Sequence, residues 1–173
     1  MLLKAIESVL EQTLKATEII VIDDGSTDGT SSIFPIKGVN YYKIDHCGYP
    51  GKVRNIGVDK TECEYIAFLD SDDIWHKDKL KKQRDYFKAH PSCRLLHTKE
   101  LWVMNGRVIS QKKRKHKKSG DVFKESLQGC ILGPSTVLME KELFNEFNGF
   151  NPEIEVGEDY DLWLSITIST IID

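Results

Sequence analysis

The sequence has little net charge and few cysteines. Its 24 lysines and arginines nearly balance 27 aspartates and glutamates, which leaves a formal net charge of −3 at pH 7. That balance excludes the overall basic footprint of a nucleic-acid-binding domain, so we expect no nucleic-acid partner. The four cysteines form no CxxC pair and show no metal-ligand spacing, which indicates reduced thiols in a cytoplasmic protein.

Long apolar runs are missing as well. No stretch approaches the roughly 20 apolar residues of a membrane-spanning helix. Lys4 and Glu7 interrupt the first ten residues, which therefore do not match a secretion signal. A chain of 173 residues without repeats or low-complexity linkers has the length of one ordinary domain, and we predict a single domain over 1–173.

Runs of β-branched residues alternate with amphipathic segments in the first half of the chain. The predicted elements are an opening helix that ends near Thr13, strands over 18–22, 39–44 and 64–69, and helices over 52–60 and 77–89. Strands that alternate with helices favour a parallel, doubly wound α/β sheet. Such sheets bind ligands outside the carboxyl ends of their strands, which is where we expect the functional residues.

The second half of the chain has a different pattern. Asn105 and Gly106 predict a two-residue turn, with hairpin strands over 94–103 and 107–110 on either side. The remaining predicted elements are a strand over 135–139 and helices over 141–147 and 158–168.

Acidic clusters follow two of the predicted strands. Asp70 and Asp72 lie one residue apart after strand 64–69, so both face one small volume if the chain turns there. Paired carboxylates suit a hard divalent cation that shares its oxygens with substrate phosphates. The alternative is a helix cap, since Asp and Ser are typical of caps and turns. The pair Asp23 and Asp24 leaves a similar choice between a cap and hydrogen bonds to a nucleobase or ribose.

A third acidic pair opens the last predicted helix. Glu158 and Asp159 stand where the helix dipole favours negative charge, so a purely structural role is one interpretation. The other is a general base, which needs a carboxylate placed to take a proton from a hydroxyl.

Four segments in order along the chain resemble family-2 glycosyltransferases of the GT-A fold. They are AIESVLEQTLKATEIIVIDDGSTDGT, VRNIGV, EYIAFLDSDDIWHKDKLKKQ and GPSTVLMEKELFNEFNGFNPEIEVGEDYDLWLSI. Together they cover nearly the whole chain, which is identified as a member of that family. The resemblance implies an α/β, GT-A fold with a mostly parallel, Rossmann-like sheet that lacks the usual first strand.

The resemblance implies a site for a nucleotide-diphosphate sugar. Asp24 would contact the nucleotide base, with Asp23 beside it, and Arg54 would lie near the base or the diphosphate. Asp70 would contact the ribose or the metal. Asp72 would ligate a divalent metal, Mn²⁺ or Mg²⁺, that bridges the phosphates of the donor.

The resemblance also implies the reaction. Asp159 would deprotonate an acceptor hydroxyl, assisted by Glu158, and transfer would invert the anomeric centre. Residues 1–90 would form the nucleotide-sugar-binding half, and residues 91–173 the acceptor and catalytic-base half. We expect a UDP-sugar donor and a glycan or lipid-linked acceptor, in the synthesis of a cell-surface polysaccharide or lipopolysaccharide.

The sequence departs from the family pattern at its two ends. The hydrophobic strand that normally precedes the first helix is missing, and relatives continue beyond the position of Asp173. We therefore expect a chain truncated at both ends. A fragment, an internal start and a degraded relative all stay open, and the last would be an inactive remnant or interaction module without a complete donor site.

A basic run, Lys112–Lys118 (KKRKHKK), lies in a region where the family varies. One interpretation is a solvated loop. The other is contact with an anionic lipid-linked acceptor or an acidic membrane surface, to which clustered lysines and arginines bind. The second interpretation predicts a cytoplasmic protein that is peripheral on the inner membrane face.

Overall fold

The computed structural model of the protein describes residues 1–109 and 119–173. The helices are α1 (Leu2–Leu10), α2 (Pro50–Asp59), α3 (Lys79–Ala89), α4 (Phe123–Ser126), α5 (Lys141–Glu146) and α6 (Glu158–Thr167). The strands are β1 (Ile20–Asp24), β2 (Asn40–Ile44), β3 (Tyr65–Ala67), β4 (Leu95–His97), β5 (Trp102–Met104), β6 (Arg107–Ile109) and β7 (Val137–Glu140). Most lie within a few residues of the ranges that periodicity predicts.

Strands β1 and β2 form a parallel pair. Their register runs from Ile20 opposite Asn40 to Asp24 opposite Ile44, so both strands end at the same edge. The chain then enters α2 at Pro50, whose fixed φ suits the first position of a helix. The acidic end of β1 and the segment that leads into α2 therefore both lie at the edge where the two strands end.

A second sheet has the order β3, β7, β4, with β7 antiparallel to both neighbours. The predicted parallel pairing thus holds for β1 and β2, and β3 and β4 run in the same direction with β7 between them. Alternation of strands and helices, on which the prediction rests, stops after β4. Strand β7 comes after the hairpin and α4, and it enters from the opposite direction.

The predicted strand over 94–103 is divided in the structure. Its first part is β4, which pairs with β7 and buries Leu95 and Leu96. Its second part is β5, which pairs antiparallel with β6 around the predicted Asn105–Gly106 turn. The polar residues 98–100 separate the two strands, because β4 needs a buried environment and β5 is exposed.

The main hydrophobic core lies between β7, α5 and α6. It includes Phe68, Phe144 and Phe150, whose rings contact one another at centroid distances of 5.2 to 5.9 Å, and Trp163 packs edge-on against Phe150. Phe68 of this aromatic cluster directly follows the last residue of β3, Ala67. It supports the loop that carries the predicted metal ligands.

A second, smaller core joins α1 to α3. Gln12, fully buried, accepts a hydrogen bond from the Leu80 amide at 3.0 Å and donates one to the His76 carbonyl at 2.9 Å. Lys79 is buried with its ammonium 4.3 Å from the centre of the Trp75 ring, and this burial lowers its pKa to about 7. Across the described ranges, no helix combines the length and the apolar content that a membrane crossing requires.

Candidate functional site

The loop after β3 carries the predicted metal ligands. It turns tightly, since the Asp73 amide donates to the Asp70 carbonyl at 3.0 Å. The Asp70 amide donates to the Ser135 hydroxyl at 3.0 Å, which fixes the loop to the turn that precedes β7. Asp70 is half-buried and the side chain of Asp72 is exposed. The loop therefore holds the Asp70 carboxylate partly buried and leaves the Asp72 carboxylate accessible to solvent.

Negative charge accumulates in this loop. Loss of hydration raises the pKa of the Asp73 carboxyl above its ordinary value, although a hydrogen bond with the Ser135 hydroxyl lowers it. Neighbouring carboxylates raise it further, namely Asp70, Asp72 and Glu100. Such mutual repulsion is relieved when a cation binds, so the loop is electrostatically suited to a positive ion.

Arg54, on α2, joins this loop to the start of α6. Its guanidinium donates to Asp70 Oδ1 at 2.7 Å through Nη2 and to Glu158 Oε1 through Nη1. It also lies 5.5 Å from the centre of the Phe150 ring. Burial lowers the pKa of Arg54, but the two carboxylates outweigh burial and the net shift is upward. Arg54 is therefore the ionic link between the predicted donor and acceptor halves.

Two small features allow α2 to approach α6 closely. A Cβ atom on Gly51 would lie 2.9 Å from the Phe150 Cβ and 3.0 Å from the Glu158 Cγ, so only glycine fits there without a shift. Asn55 forms two hydrogen bonds with the Phe150 backbone, at 2.7 and 3.0 Å. Both contacts hold Arg54 at the distance that its two ion pairs need.

The acidic pair at the start of α6 is divided between two environments. Glu158 is buried and engaged by Arg54, whereas Asp159 is half-buried and accepts the Tyr160 amide at 2.8 Å. Burial is the largest cause that raises the pKa of Asp159, and the negative charge of Glu158 adds to it. A half-buried carboxyl with a raised pKa is suited to proton transfer.

A thiol lies beside this carboxyl. The exposed Cys130 has its Sγ 3.8 Å from Asp159 Oδ2 and 3.1 Å from the Leu132 carbonyl. Its side chain therefore lies against the group predicted to take the acceptor proton.

Asp24, at the end of β1, binds the loop that leads into α2. Its carboxylate accepts the amides of Cys47 at 2.7 Å and Gly48 at 2.9 Å, and His46 Nδ1 lies 3.0 Å from it. Burial raises the pKa of Asp24, but these hydrogen bonds and the His46 charge together hold it below the ordinary value. The neighbouring Gly25 has a φ of +71°, and a Cβ there would meet His46 at 2.8 Å.

Asp23 is buried and, like Asp24, binds groups in nearby segments. Its carboxylate accepts the Ser26 amide at 2.8 Å and the Tyr41 hydroxyl at 2.5 Å. Burial raises its pKa, and the hydrogen bonds and Lys43 outweigh burial so that the net shift is downward. Both aspartates thus shape the loops at this edge, and their predicted contacts with a nucleotide stay predictions.

The residues present suit a hard divalent cation that takes only some of its ligands from the protein. Carboxylate oxygens are the ligands that Mg²⁺ and Mn²⁺ take in proteins, and Asp72 and Asp70 are the residues that would supply them here. Within residues 1–109 and 119–173, no three His, Cys, Asp or Glu side chains stand at metal-binding spacing. A cation on these two aspartates would therefore complete its shell with water and substrate phosphates, as Mg²⁺ commonly does.

Four of the predicted residues lie together: Arg54, Asp70, Glu158 and Asp159. Asp72 follows on the same turn as Asp70. The run Lys112–Lys118 lies outside the described residues.

The sequence profile described as "Glycosyl transferase family 2" matches residues 1–146. An uncharacterized glycosyltransferase of Rickettsia felis is 36% identical over 174 residues, which is 95% of this chain and 27% of that protein. The putative teichuronic acid biosynthesis glycosyltransferase TuaG of Bacillus subtilis is 33% identical, with 93% and 64% covered. The Escherichia coli UDP-Glc:alpha-D-GlcNAc-diphosphoundecaprenol beta-1,3-glucosyltransferase WfgD is 30% identical, with 94% and 62% covered.

Solved structures share the fold. Residues 1–349 of S. aureus TarS in complex with UDP match with a TM-score of 0.77 and 25% identity, over 99% of this chain and 52% of that one. The mannosyltransferase PcManGT from Pyrobaculum calidifontis, in complex with GDP-Man and Mn²⁺, matches with a TM-score of 0.68 and 14% identity, over 99% and 49%. These likenesses confirm the predicted α/β, GT-A fold. The chain spans between about a quarter and two thirds of the length of these proteins.

Proposed function

The chain belongs to glycosyl transferase family 2, and on that premise we propose that it transfers a sugar from a nucleotide-diphosphate sugar to an acceptor hydroxyl. The observation that carries the proposal is the position of Arg54, which binds Asp70 on the loop after β3 and Glu158 at the start of α6. On this proposal, Arg54 would join a side that holds the phosphates and the metal to a side that accepts the proton. A donor and an acceptor need both sides within one cleft.

On the donor side, the loop after β3 is proposed to hold the diphosphate. Asp72, with Asp70, would ligate the divalent metal, and Arg54 would balance the charge of Asp70 beside it. The metal, when bound, neutralises the diphosphate and stabilises it as a leaving group. Asp24 and Asp23 would face the base through the loops that their carboxylates hold in place.

On the acceptor side, Asp159 is proposed to take the proton of the attacking hydroxyl. Its raised pKa makes it a better proton acceptor than an ordinary aspartate. Glu158 would assist indirectly, since its charge raises the pKa of Asp159 while its carboxylate holds Arg54. Direct attack from the face opposite the diphosphate would invert the anomeric centre.

The relatives support a particular donor and acceptor class. TarS was solved with UDP, and WfgD is described as acting on UDP-Glc and a diphosphoundecaprenol-linked sugar. We therefore propose a UDP-sugar donor and a lipid-linked or glycan acceptor, in cell-surface polysaccharide synthesis, which TuaG supports. The metal is proposed to be Mn²⁺ or Mg²⁺, and PcManGT of the same fold is in complex with Mn²⁺.

The two halves predicted from sequence fit this assignment. Residues 1–90 carry the proposed donor ligands, and residues 91–173 carry the proposed base. A lipid-linked acceptor would place the protein on the cytoplasmic face of the membrane, where the run Lys112–Lys118 would contact anionic headgroups.

UDP together with Mn²⁺ is expected to raise the melting temperature of the chain. A ligand at about 100 times its Kd stabilises by about 2.7 kcal/mol, which corresponds to roughly 5–10 °C for a domain of this size. Asp72→Asn should abolish the shift, because the neutral amide is a poor ligand for a hard cation. The measurement is differential scanning fluorimetry with and without EDTA.

Asp85→Asn is the matched control for that experiment. Asp85 is an exposed acid on α3, paired with Arg84, and its loss should leave the shift intact. No shift with any nucleoside diphosphate would contradict a working donor site. It would favour the alternative of an inactive remnant or interaction module that kept the fold.

Ser135→Ala is expected to weaken Mn²⁺ binding about tenfold at saturating UDP, since outer-shell partners orient metal ligands. The hydroxyl accepts the Asp70 amide and donates to Asp73, so its loss frees the loop that carries Asp72. Mn²⁺ titrations followed by fluorimetry measure the change. Ser135→Thr should restore the affinity and Ser169→Ala, at an exposed site, should not alter it; equal affinities in all variants would show that Ser135 does not position the loop.

A further inference from the structure

The hairpin of β5 and β6, with the preceding Leu101, carries apolar side chains in open solvent. We call residues 101–109 the apolar hairpin. Residues 101–108 are all exposed. The exposed fraction is 77% for Leu101, 63% for Val103, 58% for Met104 and 65% for Val108. Burying such residues is worth about 25 cal/mol per Å² of apolar surface, so this segment gains free energy from any partner that removes it from water.

The apolar side chains occupy both faces of the hairpin. Val103 lies opposite Val108, and because side chains alternate along a strand, this pair points to one face. Trp102 and Met104 point to the other face, where Met104 lies opposite Arg107. A flat protein partner would cover only one of these faces. A fluid layer that surrounds the hairpin covers both.

The charge next to the hairpin identifies the chemistry of that layer. Three residues after Ile109 the sequence enters KKRKHKK, in which six of seven residues are lysine or arginine. A polybasic segment next to exposed apolar and aromatic side chains is complementary to an anionic lipid surface, where each basic residue contributes about 1 kcal/mol. Tryptophan in addition favours the headgroup level of a bilayer.

We propose that the apolar hairpin docks the protein on an anionic lipid bilayer, with Trp102 and the two valines at the level of the headgroups and upper acyl chains. A shallow insertion of about 5–10 Å suits the hairpin, because at that depth water and headgroups can still hydrogen-bond to the backbone at the strand edges and at the Asn105–Gly106 turn. The proposal rests on the proposed function in one respect, because a lipid-linked acceptor lies at such a surface. It does not depend on the metal or the donor.

A second copy of the chain is the weaker occupant. A stable protein interface involves about 20–30 residues on each side, whereas the apolar hairpin has nine. The neighbouring positive charges would repel their copies in a dimer, but they attract anionic headgroups.

Co-sedimentation of the full chain with vesicles tests the proposal. We expect binding to phosphatidylcholine vesicles that contain phosphatidylglycerol, weaker binding at high salt, and little binding to phosphatidylcholine alone. The double variant Val103→Thr with Val108→Thr keeps β-branched side chains for the strands but makes both polar. It should lower partition to the anionic vesicles about tenfold.

The control is Val156→Thr with Ile168→Thr, at two apolar positions outside the hairpin that are more exposed than the two valines, and it should bind as the parent does. Tryptophan emission gives a second readout. Trp75 and Trp163 are already buried, so a blue shift on adding vesicles reports on Trp102, and Trp102→Phe should remove it.

Several results would overturn the proposal. These are failure of the parent chain to bind anionic vesicles, undiminished binding by the valine double variant, or a dimer in sedimentation velocity that the same variant abolishes. The valine variant should still show the thermal shift with UDP and Mn²⁺. Loss of that shift in the parent chain, with vesicle binding retained, would contradict the donor site and leave the hairpin proposal standing.

Discussion

Arg54→Leu is expected to lower the free energy of unfolding by about 3–5 kcal/mol, which is the usual cost of removing one partner of a buried ion pair. The Glu158 side chain is only 7% exposed and would lose its counter-ion inside the protein. Asp70, at 36% exposure, would lose its partner closer to solvent and contribute less. Urea unfolding at pH 7 measures the difference.

Two further variants separate charge from packing. Glu158→Gln in the Arg54→Leu background should recover much of the loss, because the orphaned buried charge is then gone. Arg84→Leu removes an arginine from an exposed pair with Asp85 and should cost less than about 1 kcal/mol. If Arg54→Leu cost no more than Arg84→Leu, Arg54 would not be the link that organises the site.

Asp159→Asn is expected to reduce sugar transfer by about 10²–10⁴-fold, the range that a general base contributes. It should do so without destabilising the fold at neutral pH. The folded state raises the pKa of Asp159 above its unfolded value, so the contribution of this group to stability is present at low pH and lost as the pH rises through the folded pKa. The neutral amide avoids that loss.

The same pKa gives the rate a pH dependence. Transfer needs the ionised carboxylate, so the rate of the parent chain should fall as the pH falls through the raised pKa of Asp159. Release of UDP from a UDP-sugar in the presence of acceptor measures the rate. Asp161→Asn, an exposed acid in the same helical turn, is the control. Full activity in Asp159→Asn, or an equal loss in Asp161→Asn, would remove Asp159 from its proposed role.

Local patterns predicted most of the elements because the signals that form them are local. The β-branched run before Asp23 and the turn at Asn105–Gly106 each depend on neighbours in the sequence, and both appear in the structure. The division of 94–103 into β4 and β5 was not predictable, since it depends on β7, some 40 residues later. Periodicity does not report which strand finds a buried partner.

The candidate site was also predictable only as far as its signals are local. The resemblance placed Arg54, Asp70 and Glu158 among the functional residues, but the ion pairs of Arg54 span 16 and 104 residues and have no local signal. Ser135 and Cys130 carry no sequence motif of their own, and only the folded chain shows them beside Asp70 and Asp159. The sequence thus predicted most of the charged groups of the candidate site, and the structure shows which residues contact them.

The central claim is that the loop after β3 binds a divalent cation together with the diphosphate of the donor. Anomalous diffraction from crystals of the chain grown with UDP and Mn²⁺ tests it directly. We predict a manganese peak about 2 Å from a carboxylate oxygen of Asp72 and in contact with the diphosphate. Bound UDP without a peak beside Asp72, or manganese at another group of carboxylates, would contradict the claim.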